Sequence, residues 1–296
     1  WAGRLAGLLI LGVGAGLIQS AALHAIVPAY EMDSASTMTL SGTLYTLGGL
    51  TSALVVGGTF FAYTTPSILI FMALAPAFAF GFFIRLKMPD DPVVHQPSWG
   101  QAISEFKSPA AILFAALLFF QFGNEGAMAG WLALFLSQKL GWSPTTTLSL
   151  LALYWLILLL GRVMGQRILP HVHHGKLLAV AVLGPMFACL ILSFTNNLFG
   201  AITGTVLAAA GFALILPLVV EMIGDRFPYF HPGIFSGIFS LAMTGGLLAP
   251  ASLGYFAHYY GVGVVMGLPL LGSVMVALLL LLIWLESRLS SPAKKA

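Results

Sequence analysis

Long apolar stretches separated by short polar gaps make up most of this chain and leave it few ways to fold. Nine of them, at 3–30, 36–62, 66–86, 109–137, 144–164, 175–195, 198–221, 231–258 and 261–286, can each cross about 30 Å of hydrocarbon, a distance that takes roughly 20 apolar residues. Within lipid every backbone N–H and C=O needs an internal partner, so runs of this length predict helices; barrel strands of about ten alternating residues do not fit them. The expected fold class is an all-α integral membrane bundle. Only 7% of residues are charged and the mean hydropathy is +0.99, whereas soluble domains carry about 25% charged residues.

The few charges set an expected orientation. When the gaps are sorted by parity, Arg85, Lys87, Lys107, Arg162, Arg167, Lys176, Arg226, Arg288, Lys294 and Lys295 fall on one side and only Arg4 and Lys139 on the other. The positive-inside rule makes the first side cytoplasmic, with the C-terminus there, as in a multi-pass protein of a cell membrane such as the bacterial inner membrane. The gap around Glu31 and Asp33 holds no basic residue, so the rule is met by the sum and not by every loop. The pI near 9.1 thus reports topology, and no nucleic-acid partner is expected. Cys189, the single cysteine, lies within an apolar span and is read as a small packing residue. The chain begins at Trp1, not Met, and enters a span almost at once, which we read as a missing N-terminus.

Gly48-Gly49-Leu50 is followed after six residues by Gly57, and Gly245-Gly246-Leu247 after six residues by Gly254. The offset, 245 − 48 = 197 residues, corresponds to six spans, the period that two parallel six-helix halves would produce. On that period spans four to nine make one half, spans one to three close the other, and three further helices would precede Trp1. The hydrophilic stretch 88–108, with Pro89, Asp90, Asp91, Pro92 and Pro97 before Trp99–Lys107, reads as the cytoplasmic connection, its second part lying on the membrane surface. The expected units are therefore 1–86, a linker at 87–108, and 109–296. Ser143-Pro144 predicts the start of the fifth span, with Ser as cap and Pro in the first turn.

With these features the chain resembles the major facilitator superfamily, whose members have twelve helices in two parallel halves, and it would represent helices four to twelve. The stretch Gly123-Asn124-Glu125-Gly126-Ala127-Met128-Ala129-Gly130-Trp131-Leu132 is similar to the seventh helix of fucose-permease-like sugar porters. Tyr154-Trp155, Gly161-Arg162 and Gly165 are similar to their eighth. The fourth helix of those porters carries an acid that aligns with Gln19, so the chain departs from the pattern there, which weakens the case for fucose and for proton coupling at that position.

Glu125 is the acid deepest within an apolar span, where an ionisable group is costly enough that function becomes the first hypothesis. Gln121, Asn124 and Glu125, at spacings of three and four, are expected to share a helical face lining an aqueous cavity. A carboxylate carried between two environments can load and release a proton; its plainer role would be to hold two helices together. Gln19 and His24 lie within the first span, His24 either sharing in coupling or simply bonded to a neighbouring helix. Trp131, Tyr154 and Trp155 offer flat apolar faces with a polar handle, suited to a sugar or aromatic solute, or else serve as interface anchors.

Gly161-Arg162-Val163-Met164-Gly165-Gln166-Arg167 looks like the second copy of the superfamily's cytoplasmic loop motif, without its Asp. The resemblance implies a cytoplasmic gate in which Arg162 pairs with Glu221 or Asp225, with Arg167 and Arg226 nearby; the alternative is a set of solvated loop charges. His171, His173 and His174 share one loop but lack a nearby Cys or acid at ligand spacing, so no metal is expected. No cofactor is expected either.

The absence of His-Glu-x-x-His, Gly-x-Ser-x-Gly and paired intramembrane carboxylates argues against an enzyme. The expected function is secondary active transport of a small organic solute, a sugar or related compound, by alternating access with proton coupling. Its partners would be the lipid bilayer, the solute and protons, and the protein would act as a monomer. A drug or metabolite exporter of the same superfamily, or a membrane scaffold or receptor that moves nothing, remain the alternatives.

Overall fold

The computed structural model describes residues 2–29, 34–86, 107–168, 174–227 and 232–290. Among them are nine helices and no strand: α1 (Ala2–Ala29), α2 (Ser34–Thr59), α3 (Thr65–Phe83), α4 (Pro109–Leu140), α5 (Pro144–Ile168), α6 (His174–Phe194), α7 (Leu198–Arg226), α8 (Pro232–Tyr260) and α9 (Gly267–Ser290), the last preceded by a 3₁₀ turn at Val262–Met266. Each falls on one of the nine apolar stretches, and eight are long and apolar enough to cross a membrane. Most of the 88–108 connection, with Lys87, His171 and His173, lies outside the described residues.

The helix ends follow local chemistry. The amide of Thr146 donates to Ser143 Oγ at 3.4 Å ahead of Pro144, as the Ser-Pro pair predicts. Asn197 caps α7 by accepting from the Gly200 amide at 2.8 Å. Gly141 ends α4 in the left-handed conformation, φ 67°. Lys139, in the last turn of α4, donates to the carbonyls of Leu192 and Ser193 near the C-terminus of α6 and lies over the Phe135 ring. Its charge thus sits where the α6 dipole is negative.

α4 is the central helix: it packs most extensively on α8 and also on α9, α5 and α7, while α6 pairs with α7. α2 packs along α5, and the main contacts of α1 and α3 are with α2. Little hydrophobic force draws helices together in lipid, so close packing has to do it, and small residues allow the backbones to approach. At the α4–α8 seam a Cβ on Gly245 would overlap the Phe119 carbonyl, and one on Gly126 would lie 2.8 Å from Gly246 O. That carbonyl has lost its usual helical donor, because residue 250 is proline. At the α2–α5 seam Gly49 has the indole ring of Trp155 where a Cβ would be, 2.6 Å from its nearest atom. Both copies of the glycine pattern therefore lie on helix seams. Cys189 is buried within α6, as a packing residue should be.

Candidate functional site

An ion pair between a buried arginine and a partly buried glutamate lies within this bundle. Glu125, at the middle of α4, presents Oε2 to Arg162 Nη2 on α5 at 2.7 Å, with side-chain exposures of 15% and 3% respectively. The other oxygen, Oε1, accepts from Gln121 Nε2 at 2.9 Å, one turn earlier on the same helix. Arg162 Nη1 reaches the third helix, donating to Gly42 O at 2.7 Å and to Thr46 Oγ1 at 2.6 Å on α2. The Thr46 hydroxyl in turn donates to Gly42 O at 2.7 Å. One guanidinium thus joins α4, α5 and α2, with its planar fork meeting a carboxylate on one side and neutral acceptors on the other.

Aromatic side chains surround the pair. Tyr45 and Tyr154 lie within electrostatic reach of both charges, and Trp155 meets each edge-to-face, with ring centroids 6.0 Å from Tyr45 and 5.7 Å from Tyr154. Three buried polar atoms around the pair have no hydrogen-bond partner among the described residues: Gln121 Oε1, Arg162 Nε and Tyr154 OH. Buried polar groups are rarely left so.

The expected gate pair of Arg162 with Glu221 or Asp225 is corrected here, because the partner of Arg162 is Glu125. Gly161 packs against Ala213 of α7, which sets Arg162 level with residue 213, about two turns from Glu221 at 3.6 residues per turn. α5 also continues to Ile168, beyond the expected end of the fifth span at residue 164, so Arg162, already within that span, lies more than a turn from the helix end and not beside a loop. Arg226 pairs with Glu286 at 2.7 Å, linking α7 to α9; both are partly exposed, so the pair contributes under about 1 kcal/mol. Arg167 and Asp225 are exposed, and Glu221 is partly buried.

Asn124 also departs from expectation. Adjacent helical residues point about 100° apart, so while Gln121 and Glu125 face α5, Asn124 turns to α9. There its Nδ2 donates to Ser273 Oγ at 3.4 Å, and its side chain fills the space beside Gly272. Trp131 donates its indole N–H to Pro250 O at 3.0 Å and lies beside Gly254, so it ties α4 to α8 away from the ion pair. Gln19 and His24 lie on α1, outside the described side chains, as does His174 at the start of α6. No cluster of metal-ligating groups occurs among the described residues.

The sequence profile of the Major Facilitator Superfamily matches residues 3–250. The chain belongs to this superfamily. This MFS chain is 27% identical over 172 residues to an uncharacterized MFS-type transporter of Yersinia pestis; the match covers 58% of the chain and 43% of that relative's length. Among solved structures the fold is similar to the MFS transporter FucP in its outward conformation, with a TM-score of 0.66 and 17% identity, covering 94% of this chain and 75% of that one. A variant of the Escherichia coli fucose:proton symporter FucP matches equally, at TM-score 0.66 and 17% identity over 94% of this chain and 76% of that one. At such identity the likeness is one of fold. The sequence and the comparisons together identify a multi-pass membrane protein of a transporter superfamily.

Proposed function

We propose that this chain forms part of a proton-coupled secondary transporter that moves a small organic solute by alternating access, with Glu125 as the coupling acid. The observation that supports the reading is the buried Glu125–Arg162 pair, held between α4 and α5 and tied through Arg162 to α2. A charge pair deep in a membrane helix bundle is costly and marks pathways for ions and substrates. Residues 1–86 and 109–296 are the two moving units on this reading, with 87–108 as the cytoplasmic connection. The α2–α5 seam, which Arg162 bridges, is where they meet. Gln121, Tyr154 and Trp155 would contact the solute, and Arg167, Glu221, Asp225 and Arg226 would form the cytoplasmic rim, with the C-terminus on that side.

While Glu125 is ionised it neutralises Arg162 and fixes it between the units. Once Glu125 carries a proton, Arg162 lacks its counter-charge, and the geometry that joins α2 to α5 loses one of its anchors. A proton thereby biases the balance between two arrangements of the seam, as coupling requires. FucP, a fucose:proton symporter by name, supports proton coupling in this fold.

The test uses the full-length protein in proteoliposomes under an inward proton gradient, screened with sugars, sugar acids and simple carboxylates. Glu125→Gln is expected to abolish pH-driven accumulation of the transported solute and to leave solute exchange partly intact. Unchanged accumulation would remove Glu125 from coupling.

A further inference from the structure

An apolar crevice of about 590 Å³ runs between α2 and α5, lined by Leu50, Ala53 and Gly57 on one side and Leu148, Ala152 and Leu156 on the other. Leu54 and Leu156, both exposed, flank it. Its inner end lies against the aromatic cluster: Leu50 follows Gly49, whose Cβ position Trp155 occupies, and Trp155 meets Tyr45. One and two turns towards the start of α2, Thr46 and Gly42 hold Arg162. Apolar crevice, aromatic ring and buried charge pair therefore follow one another along a single seam. From Gly57 to Thr46 the separation is about 16 Å at 1.5 Å per residue, the length of a small amphiphile.

We propose that the solute is an amphipathic organic anion, its carboxylate at Arg162 and its apolar body in the α2–α5 crevice, bound together with one proton on Glu125. This rests on the transport reading above and names its substrate class. The charge balance favours an anion. The Glu125–Arg162 pair is neutral, so an anion entering alone would leave a buried negative charge, and a proton entering alone would leave Arg162 buried and uncompensated. The two entering together leave Arg162 paired with the solute and Glu125 neutral, and an organic cation has no such neutral arrangement here. Arg162 Nε and Tyr154 OH, without a partner among the described residues, can donate to the carboxylate, and Gln121 Oε1 can accept from protonated Glu125. Facing Glu125 from α5 are Arg162 and Tyr154, and from α2 Tyr45. The spans of α7, α8 and α9 carry titratable groups only towards their ends.

The probes are octanoate, octanamide and octylammonium, titrated calorimetrically into the full-length protein in nanodiscs, in two buffers of different ionisation heat. Octanoate is expected to bind at least about tenfold more tightly than octanamide and to take up one proton per anion. Its affinity then falls as pH rises, by about tenfold per pH unit. Glu125→Gln mimics the protonated acid, so it should bind octanoate without proton uptake and without pH dependence, and Arg162→Gln should lose the preference for the anion. Equal or tighter binding of octanamide or octylammonium, or no saturable octanoate binding at millimolar concentration, overturns the anion assignment. In that case loss of accumulation of another solute in Glu125→Gln would still stand for the transport reading. Octanoate binding to the wild type without proton uptake overturns the joint-binding proposal and coupling at Glu125 along with it.

Discussion

Arg162→Met is expected to destabilise the folded protein by about 3–5 kcal/mol, among the largest effects of any single substitution in the chain. The cost comes from what remains. Glu125 Oε2 keeps its position between α4 and α5 without a counter-charge, and Gly42 O and Thr46 Oγ1 lose the donor that joined them to α5. Removing one partner of a buried pair leaves the desolvation cost of the other uncompensated, whereas removing both need not. The double variant Glu125→Gln with Arg162→Met should therefore recover most of the loss. Thermal unfolding of the four proteins in one detergent forms the double-mutant cycle; additive losses would show that the two side chains do not interact.

Gly245→Leu is expected to cost about 3 kcal/mol or more and to open the α4–α8 seam. A Cβ at this position would fall within van der Waals contact of the Phe119 carbonyl. Backbone cannot turn aside as a flexible side chain can, so α8 would have to move away from α4. The movement would strain the nearby Trp131–Pro250 hydrogen bond and the contact of Gly126 with Gly246. Gly224→Leu, with open space at its Cβ position, is the matched control. Similar melting temperatures for the two would remove the close approach as the reason for glycine.

The helices were legible because length and hydropathy alone decide them: Thr65–Phe83 and Pro144–Ile168 begin within a residue of where the apolar runs begin. Glu125 stood out for a related reason, since a mid-span carboxylate is conspicuous against 59% hydrophobic residues. Its partner was not. Arg162 resembled part of a loop motif at the end of its span, and the packing of Gly161 on Ala213 and the extra turn to Ile168 set it away from the loop. A sequence signal did exist, because a buried acid needs a compensating group and Arg162 is the basic residue furthest inside an apolar run. Thr46, Gly42 and Ser273 had no such signal. Thr46 and Ser273 each bond a backbone carbonyl four residues earlier, at 2.7 Å and 2.8 Å, as Thr and Ser do in any membrane helix. Asn124 was placed on one face with Gln121 and Glu125 because a spacing of three from Gln121 is compatible with two faces of α4, and only the position of α9 chooses between them.

On the transport reading, the proton on Glu125 controls the seam that Arg162 bridges. Spin labels at Tyr63, just beyond α2, and Gln138, near the end of α4, occupy exposed positions at the same end of the bundle. Their separation, measured by pulsed electron resonance in the full-length protein with Cys189 replaced by Ala, reports how far the two units have parted. The distance distribution should shift between alkaline and acid buffer in the wild type, and Glu125→Gln should hold the acid distribution in both. A wild-type distribution that ignores pH, or a Glu125→Gln variant that shifts as the wild type does, would show that protonation of Glu125 does not control the seam.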